Sequence, residues 1–183
     1  MLSFAFDTFP VIETERLILR EFTLDDLPEV YELRTNQEIM QHIDRDKMKN
    51  LEEARDMVLK MQESYQACTG INWGITLKTS PVIIGGCGFW RIVREHYRAE
   101  IGYSLLPDYW NQGIITEAIH AVVHVGFHQV GIHSIEANLN PENKKSARVL
   151  EKNGFIQEGY FKQNYFYNGK FYDTLTYGKT RET

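Results

Sequence analysis

The segment Tyr109-Trp110-Asn111-Gln112-Gly113-Ile114-Ile115-Thr116-Glu117-Ala118 lies where a strand pattern ends and a helix pattern begins. The first N–H groups of a helix have no acceptor inside it, and with the positive end of the helix dipole they suit a phosphate. Gly113 removes side-chain bulk at the turn, and Thr116 adds a hydroxyl. The segment therefore predicts a phosphate-binding turn. It matches neither the nucleoside-triphosphate loop nor the dinucleotide fingerprint.

Periodicity on either side of this segment predicts a mixed sheet covered by helices. We expect strands at Arg16–Phe22, Asn72–Leu77, Val82–Trp90, Tyr97–Leu106, Ser134–Leu139, Phe155–Phe166 and Phe171–Tyr177. We expect helices after the cap Thr23, from Asn50 to about Tyr65, from Gly113 to about Val130, and from Pro141, with Asn140 as its cap, to Gly154. The strand–helix alternation in the second half requires parallel pairing, whereas the three central strands are expected to be antiparallel. Asn168-Gly169 predicts a hairpin.

The length of the chain predicts a single domain over residues 1–183, because 183 residues can enclose one sizeable core. The net charge of -5 argues against nucleic-acid binding and would suit an amine substrate. Cys68 and Cys87 form no disulfide framework, which favours the cytoplasm. Residues 1–7 lack the pattern of a signal peptide. No apolar stretch approaches the ~20 residues of a membrane helix, so we expect no membrane partner.

A second polar segment, Asn140 to Ser146, precedes the turn at Gly154. Asn143 and Ser146 are three residues apart, so they share a face of the predicted helix. Their side chains either contact a ligand or only cap and solvate the first helical turn. The residues alone leave both interpretations open.

Three stretches together carry a family resemblance: Glu100–Gly113, Glu13–Arg20 and Asn143–Phe155. They resemble the GCN5-related N-acetyltransferase (GNAT) superfamily, and in particular its branch of ribosomal-protein N-terminal acetyltransferases. The resemblance extends from about Glu13 to Tyr177. It implies an α/β (mixed α+β) fold with a mostly antiparallel sheet of six or seven strands and helices on both faces. A parallel, splayed strand pair in that sheet would hold CoA.

The resemblance also implies where acetyl-CoA binds. Amides of residues 111 to 116 would hold its pyrophosphate, and the pantetheine arm would lie between the strand ending at Leu106 and Ser134–Asn138. The N–H of Leu105 would stabilise the oxyanion. Lys144 and Lys145 are candidates for the 3′-phosphate. The implied cofactor-binding residues are Ser104, Leu105, Leu106, Asn111, Gln112, Gly113, Ile114, Ile115, Thr116, Asn138, Asn143 and Ser146.

The sequence departs from the family pattern at three positions. Trp110 and Ile115 replace the usual residues of the phosphate turn, and Leu150 stands where many relatives have the tyrosine that protonates the departing thiolate. Ser146 lies one turn before Leu150 on the same face. We therefore expect the departing thiolate to take its proton from Ser146 or from water.

Glu100 is the candidate general base, or an anchor for the acceptor, because it lies on the central strand near the expected thioester. Alternatively it is only a salt-bridged strand residue, with Arg98 or Arg91 as partner. Trp90 and Tyr103 are candidates for acceptor binding or for core packing.

Two weaker candidates remain. His120, His124 and His128 recur at a spacing that can chelate metal, but we expect a solvent-facing stripe or a subunit contact, and no metal. Cys87 is a potential acyl-carrying nucleophile, but we expect a buried apolar residue.

The sequence thus predicts an acetyl-CoA-dependent N-acetyltransferase that transfers acetyl directly to a primary amine. The expected acceptor is a protein N-terminal α-amine, as in the ribosomal-protein enzymes. The alternatives are a small amine (a polyamine, amino acid or aminoglycoside) and a non-catalytic acyl-CoA-binding module. Either a monomer or a homodimer is compatible with the sequence.

Overall fold

The computed structural model describes residues 2, 6 and 8–182, so most of the segment examined for a signal peptide lies outside the described residues. Eight strands form one sheet in the order β1-β2-β3-β4-β5-β6-β8-β7. The strands are β1 Ile12–Glu13, β2 Leu17–Glu21, β3 Ile71–Leu77, β4 Ser80–Val93, β5 Arg98–Leu105, β6 Ser134–Leu139, β7 Ile156–Tyr167 and β8 Lys170–Thr180. The expected mixed, mostly antiparallel sheet is confirmed. It has one strand more than predicted, because the two residues of β1 are too few to show a period.

Helices cover the sheet through two apolar clusters. The helices are α1 Leu27–Thr35, α2 Gln37–Met40, α3 Leu51–Gln66, α4 Ile114–Val125, which a π-helical turn extends to Val130, and α5 Lys144–Lys152. Helices α1 to α3 pack around Phe22 and Ile83, whereas α4 and α5 belong to the larger cluster around Ile101 and Phe89. None of the helices in the described chain is long and apolar enough to span a membrane.

The parallel pair consists of β5 and β6. Its register joins Arg98 to Ser134 and ends at Glu100 opposite Glu136, although β5 continues to Leu105 and β6 to Leu139. Beyond this point β6 pairs with β8 alone. The two strands therefore diverge towards their carboxyl ends and leave a gap in the middle of the sheet.

The start of α5 differs from the prediction. The helix begins at Lys144, and its cap is Asn143, whose Oδ1 accepts a hydrogen bond from the Ser146 amide at 3.0 Å. The predicted cap, Asn140, accepts from the amide of Glu142 at 2.9 Å and so closes a turn before the helix. Pro141 therefore precedes α5 instead of opening it.

Local turn chemistry was predicted correctly elsewhere. Asn168 and Gly169 have φ values of 46° and 78°, and they form the tight turn between β7 and β8. Asn50 caps α3 by accepting a hydrogen bond from the Glu53 amide at 3.1 Å. Both signals reside in a few adjacent residues, so no tertiary contact is needed to realise them.

Candidate active site

The gap between β5 and β6 exposes a backbone donor at Leu105. The amide of Leu106 donates to the carbonyl of Ile84 on β4 at 2.9 Å. Successive amides of a strand point to opposite edges, so the N–H of Leu105 points away from β4 and into the gap. The carbonyl of Leu105 accepts a hydrogen bond from the Trp110 indole at 2.7 Å, which ties the end of β5 to the turn that follows.

That turn presents free amides at the start of α4. Asn111 and Gly113 both have positive φ, 60° and 76°, and Gly113 is the residue before the helix. The first α-helical hydrogen bond runs from the Glu117 amide to the Gly113 carbonyl at 3.0 Å. The amides of Ile114 to Thr116 thus have no acceptor among the residues that the structure describes, which is the arrangement suited to an anion.

The β1–β2 connection clamps this turn. Arg16 contacts the Glu117 carboxylate at 2.7 Å and donates to the Gln112 carbonyl at 2.9 Å, and the Thr14 hydroxyl donates to Glu117 at 2.6 Å. Burial alone would raise the pKa of Glu117, but hydrogen bonds from Thr14 and Arg16 outweigh it and lower that pKa. The clamp therefore fixes the first turn of α4 relative to the sheet.

A cavity of about 390 Å³, here the donor cavity, joins the turn to the gap. The predicted cofactor-binding residues that line it are Ser104, Leu105, Asn111, Gly113, Ile114, Ile115, Thr116, Asn143 and Ser146. Its rim carries three basic side chains of α5: Lys145, Arg148 and Lys152. The Lys145 ammonium lies 4.7 Å from the centre of the Trp110 ring, whereas Lys144 does not line the cavity.

Three predicted cofactor-binding residues lie outside this lining. The Leu106 amide is bound to β4, and Gln112 uses its side chain on the Asp108 carbonyl at 2.8 Å. Asn138 donates to Glu100 at 2.9 Å and accepts from Thr176 at 2.6 Å. The Asn138 side chain therefore contacts Glu100 and Thr176 in this structure.

Ser146 meets a phenol that comes from the sheet. The Tyr103 hydroxyl lies 2.6 Å from Ser146 Oγ, and it also donates to the Ser146 carbonyl at 3.3 Å. Burial raises the pKa of Tyr103, so the phenol stays protonated. Leu150, at the position where many relatives carry tyrosine, is fully buried in the core. Tyr103 therefore brings a phenol to the helix face that lacks one.

A second cavity of about 480 Å³, here the acceptor cavity, lies on the side of α1 and α3. Trp90 and Tyr103, the two candidates for acceptor binding, both line it. A side chain at Gly102 would begin 3.2 Å from Trp90, so the missing Cβ leaves room there. The donor and acceptor cavities share Ile43, Tyr103 and Ser104. Ligands bound in the two cavities would therefore meet at the end of β5.

Glu100 lines neither cavity. Its side chain points to the same face of β5 as Gly102, which lines the acceptor cavity. The residue is only 8% exposed, and Arg91 contacts its carboxylate at 3.5 Å. Burial and the neighbouring Glu136 raise the pKa of Glu100, while the hydrogen bond from Asn138 and Arg91 oppose that rise. A base in this position would need a bridging water to reach an amine.

Two other candidates have no visible role in the site. His120, His124 and His128 are exposed, and the rings of the last two lie in tilted contact with centroids 4.4 Å apart. Within the described chain, no group of three or more His, Cys, Asp or Glu side chains is placed to hold a metal ion. Cys87 lines the acceptor cavity, but burial raises the pKa of its thiol, which disfavours the nucleophilic thiolate.

Sequence reasoning missed the basic residues of both cavities. In the donor cavity the missed residues are Arg148 and Lys152; with Lys145 they follow a spacing of three and four, which places all three on one helix face. That pattern was readable from the sequence. The basic residues of the acceptor cavity come from separate elements and have no such local signal.

Comparisons with known proteins agree with this architecture. The profile of the acetyltransferase (GNAT) domain matches residues 16–156. The uncharacterized N-acetyltransferase YoaA of Bacillus subtilis is 38% identical over 176 residues, which cover 95% of this chain and 99% of that protein. The [ribosomal protein uS5]-alanine N-acetyltransferase of Escherichia coli is 35% identical over 99 residues, 54% of this chain and 51% of that enzyme.

A solved structure shares the fold. RimL, a ribosomal α-N-protein acetyltransferase solved in complex with coenzyme A, superposes with a TM-score of 0.84 at 23% identity. The alignment covers 93% of this chain and 98% of that one. At this identity, the likeness concerns the fold alone.

Proposed function

This chain belongs to the acetyltransferase (GNAT) family, and we propose that it transfers acetyl from acetyl-CoA directly to a protein N-terminal α-amine. Family membership makes the protein an N-acetyltransferase, which sets aside the hypothesis of a non-catalytic binding module. The α-amine acceptor is supported by similarity to the uS5-alanine enzyme over about half of the chain. We further propose a single catalytic domain over residues 1–183, active in the cytoplasm as a monomer or homodimer.

The main support for the proposal is the divergence of β5 from β6, which directs the Leu105 N–H into the gap. The gap can accept the pantetheine arm of acetyl-CoA as an added strand. The free amides of Ile114 to Thr116 suit the pyrophosphate, and the basic rim of α5 suits the 3′-phosphate. Asn143 caps α5 with its oxygen and keeps its NH₂ group available to the arm.

When bound, acetyl-CoA supplies an activated acetyl thioester, and its acetyl group passes to the neutral amine while the CoA thiol leaves. The Leu105 N–H stabilises the negative charge on the carbonyl oxygen. Ser146 gives its proton to the departing sulfur, and the Tyr103 phenol replaces that proton through their 2.6 Å contact. Because burial raises the pKa of Tyr103, the resulting phenolate then takes a proton from water, which restores the relay. Glu100 removes the proton of the amine through water. Asn138 orients Glu100 without touching substrate.

A small-molecule amine is the second candidate acceptor. The acceptor cavity, at about 480 Å³, has the size of a small-ligand site. In addition, the relative YoaA, which matches nearly the whole chain, has no assigned acceptor in its name.

A thiol-release screen separates the two acceptor classes. The purified protein and acetyl-CoA are offered peptides with free N-termini, the same peptides with blocked N-termini, and a set of polyamines, amino acids and aminoglycosides. The proposal predicts thiol release with free N-termini and none with blocked ones. If a small amine releases thiol faster than every peptide, the acceptor is a small amine and not a protein α-amine. If none of the amines offered causes thiol release, the transfer itself is contradicted.

A further inference from the structure

The acceptor cavity is positively charged although the whole chain is acidic. Arg34 of α1, Arg45 of the loop after α2 and Lys60 of α3 line it, and no Asp or Glu is among its described lining residues. The net charge of the chain, by contrast, is -5. Three cations from three separate elements thus converge on the cavity that would receive the acceptor. A purely cationic amine would meet repulsion there.

Arg34 is the central member of this group. Arg20, Arg91 and Arg98 each contact a carboxylate, whereas Arg34 has neither an ion pair nor a side-chain hydrogen bond within the described residues. Burial and the nearby Arg45 lower the pKa of Arg34 to about 10. A half-buried guanidinium without an anion is unfavourable, because it has lost water and gained no partner. An incoming anion would remove this cost.

Two tyrosines of β7 fix the loop that carries Arg45. The Tyr167 hydroxyl donates to the Asp46 carboxylate at 2.7 Å, and the Tyr165 hydroxyl donates to the Asp44 carbonyl at 2.9 Å. Both tyrosines belong to β7, near the tip of the long hairpin. The hairpin thus holds the loop on both sides of Arg45.

We propose that the acceptor amine carries an anionic group, a carboxylate or a phosphate, which binds Arg34 and Arg45 while the amine reaches Tyr103 and Ser104. This inference rests on the proposed acetyl transfer and specifies its acceptor. In a peptide the anion is an acidic or phosphorylated side chain close to the N-terminus. In a small molecule it is a carboxylate or phosphate on the amine itself. Arginine suits either anion, since its guanidinium can form two parallel hydrogen bonds.

The test uses matched acceptors that differ only in charge. One peptide series has Glu, Gln, Lys or phosphoserine next to its N-terminal residue, and a second series compares amino acids with their amides. We expect kcat/KM to be about 10- to 100-fold higher for the anionic member of a pair, the size of one or two charged hydrogen bonds. The two series show whether a peptide side chain or a small-molecule anion provides the charge.

Two variants test whether the preference for anionic acceptors comes from the acceptor cavity. Arg34→Met should reduce the anionic preference to within a few-fold and leave the KM for acetyl-CoA unchanged. Arg55→Met is the matched control: it removes the same charge from an exposed position of α3 outside the cavity and should keep the preference. Melting temperatures confirm that both variants are folded.

Binding measured without turnover keeps the inference separate from the proposed activity. Calorimetry with the CoA-loaded protein should show that the anionic peptides bind more tightly than the Gln peptide, and that Arg34→Met removes the difference. Equal binding and equal kcat/KM for Glu and Gln acceptors would overturn the inference while acetyl transfer stands. A binding preference without any acetyl transfer would overturn the proposed function instead.

Discussion

The contact between Tyr103 and Ser146 allows a direct test of how the leaving thiol receives its proton. The Tyr103 hydroxyl oxygen and Ser146 Oγ are 2.6 Å apart. Tyr103→Phe removes only that hydroxyl group. The ring still fills the space shared by the two cavities. The variant therefore deletes one proton donor and its two contacts with Ser146 without opening a cavity.

The size of the fall in kcat distinguishes a Tyr103 that relays a proton from a Tyr103 that only orients Ser146. A lost neutral hydrogen bond costs about 1 kcal/mol, so a tyrosine that merely orients Ser146 would change kcat about 5-fold. A proton donor contributes about 10²- to 10⁴-fold. Since Tyr103 replenishes the Ser146 proton in our mechanism, we expect kcat to fall by about 100-fold with little change in the KM for acetyl-CoA.

The assay is thiol release by Tyr103→Phe, Ser146→Ala and the double variant. Two members of one relay act as a unit, so the double variant should be about as slow as Ser146→Ala alone. Tyr65→Phe is the matched control, because its hydroxyl bonds to the Thr8 carbonyl away from both cavities. A fall of 5-fold or less in Tyr103→Phe, or additive losses in the double variant, would refute the relay.

Three further predictions concern the base, the phosphate turn and its clamp. Because the pKa of Glu100 is raised, kcat at saturating acceptor should fall in acid with a pKa above the ordinary value of about 4.3. Asn138→Ala, which removes a hydrogen bond to the charged form, should move this pKa higher, and Glu100→Gln should remove this ionisation from the profile. Gly113→Ala forces a side chain into φ 76° at a cost of about 1–2 kcal/mol, so calorimetry should show acetyl-CoA affinity about tenfold weaker or worse, and unchanged affinity would argue against this turn as the phosphate site. The pKa of Glu117 is lowered in the folded state, so its stabilisation is present above an unfolded pKa of about 4.3 and lost as the pH falls; the melting temperature of Glu117→Gln should lie below that of the wild type at pH 7, and this difference should shrink in acid.

The parts of the fold that depend on adjacent residues were predictable. The β7–β8 turn needed only Asn168-Gly169, and the α4 start needed the glycine between a strand and a helix pattern. The start of α5 was predicted three residues too early. Asn140 and Asn143 both have cap chemistry, and only the backbone of the intervening turn decides which one caps the helix.

The parts of the site that depend on distant residues were not predictable. Tyr103 and Ser146 are 43 positions apart, and nothing in either segment shows that their hydroxyls meet. The contact between Asn138 and Glu100 joins residues 38 positions apart on two strands, and neither strand segment by itself indicates it. Arg34 and Arg45 lie on separate elements, and they can be recognised as cavity residues only after folding brings both to the same cavity.

Direct transfer between the two cavities is tested most directly by a single turnover with acetyl-CoA and the best acceptor, in which free thiol and acetylated amine are followed together. In direct transfer both appear at the same rate, no acetyl group remains on the protein, and no thiol is released without acceptor. Acetyl-protein that forms before the product, for example on Cys87, or CoA binding without transfer to any amine, would contradict it.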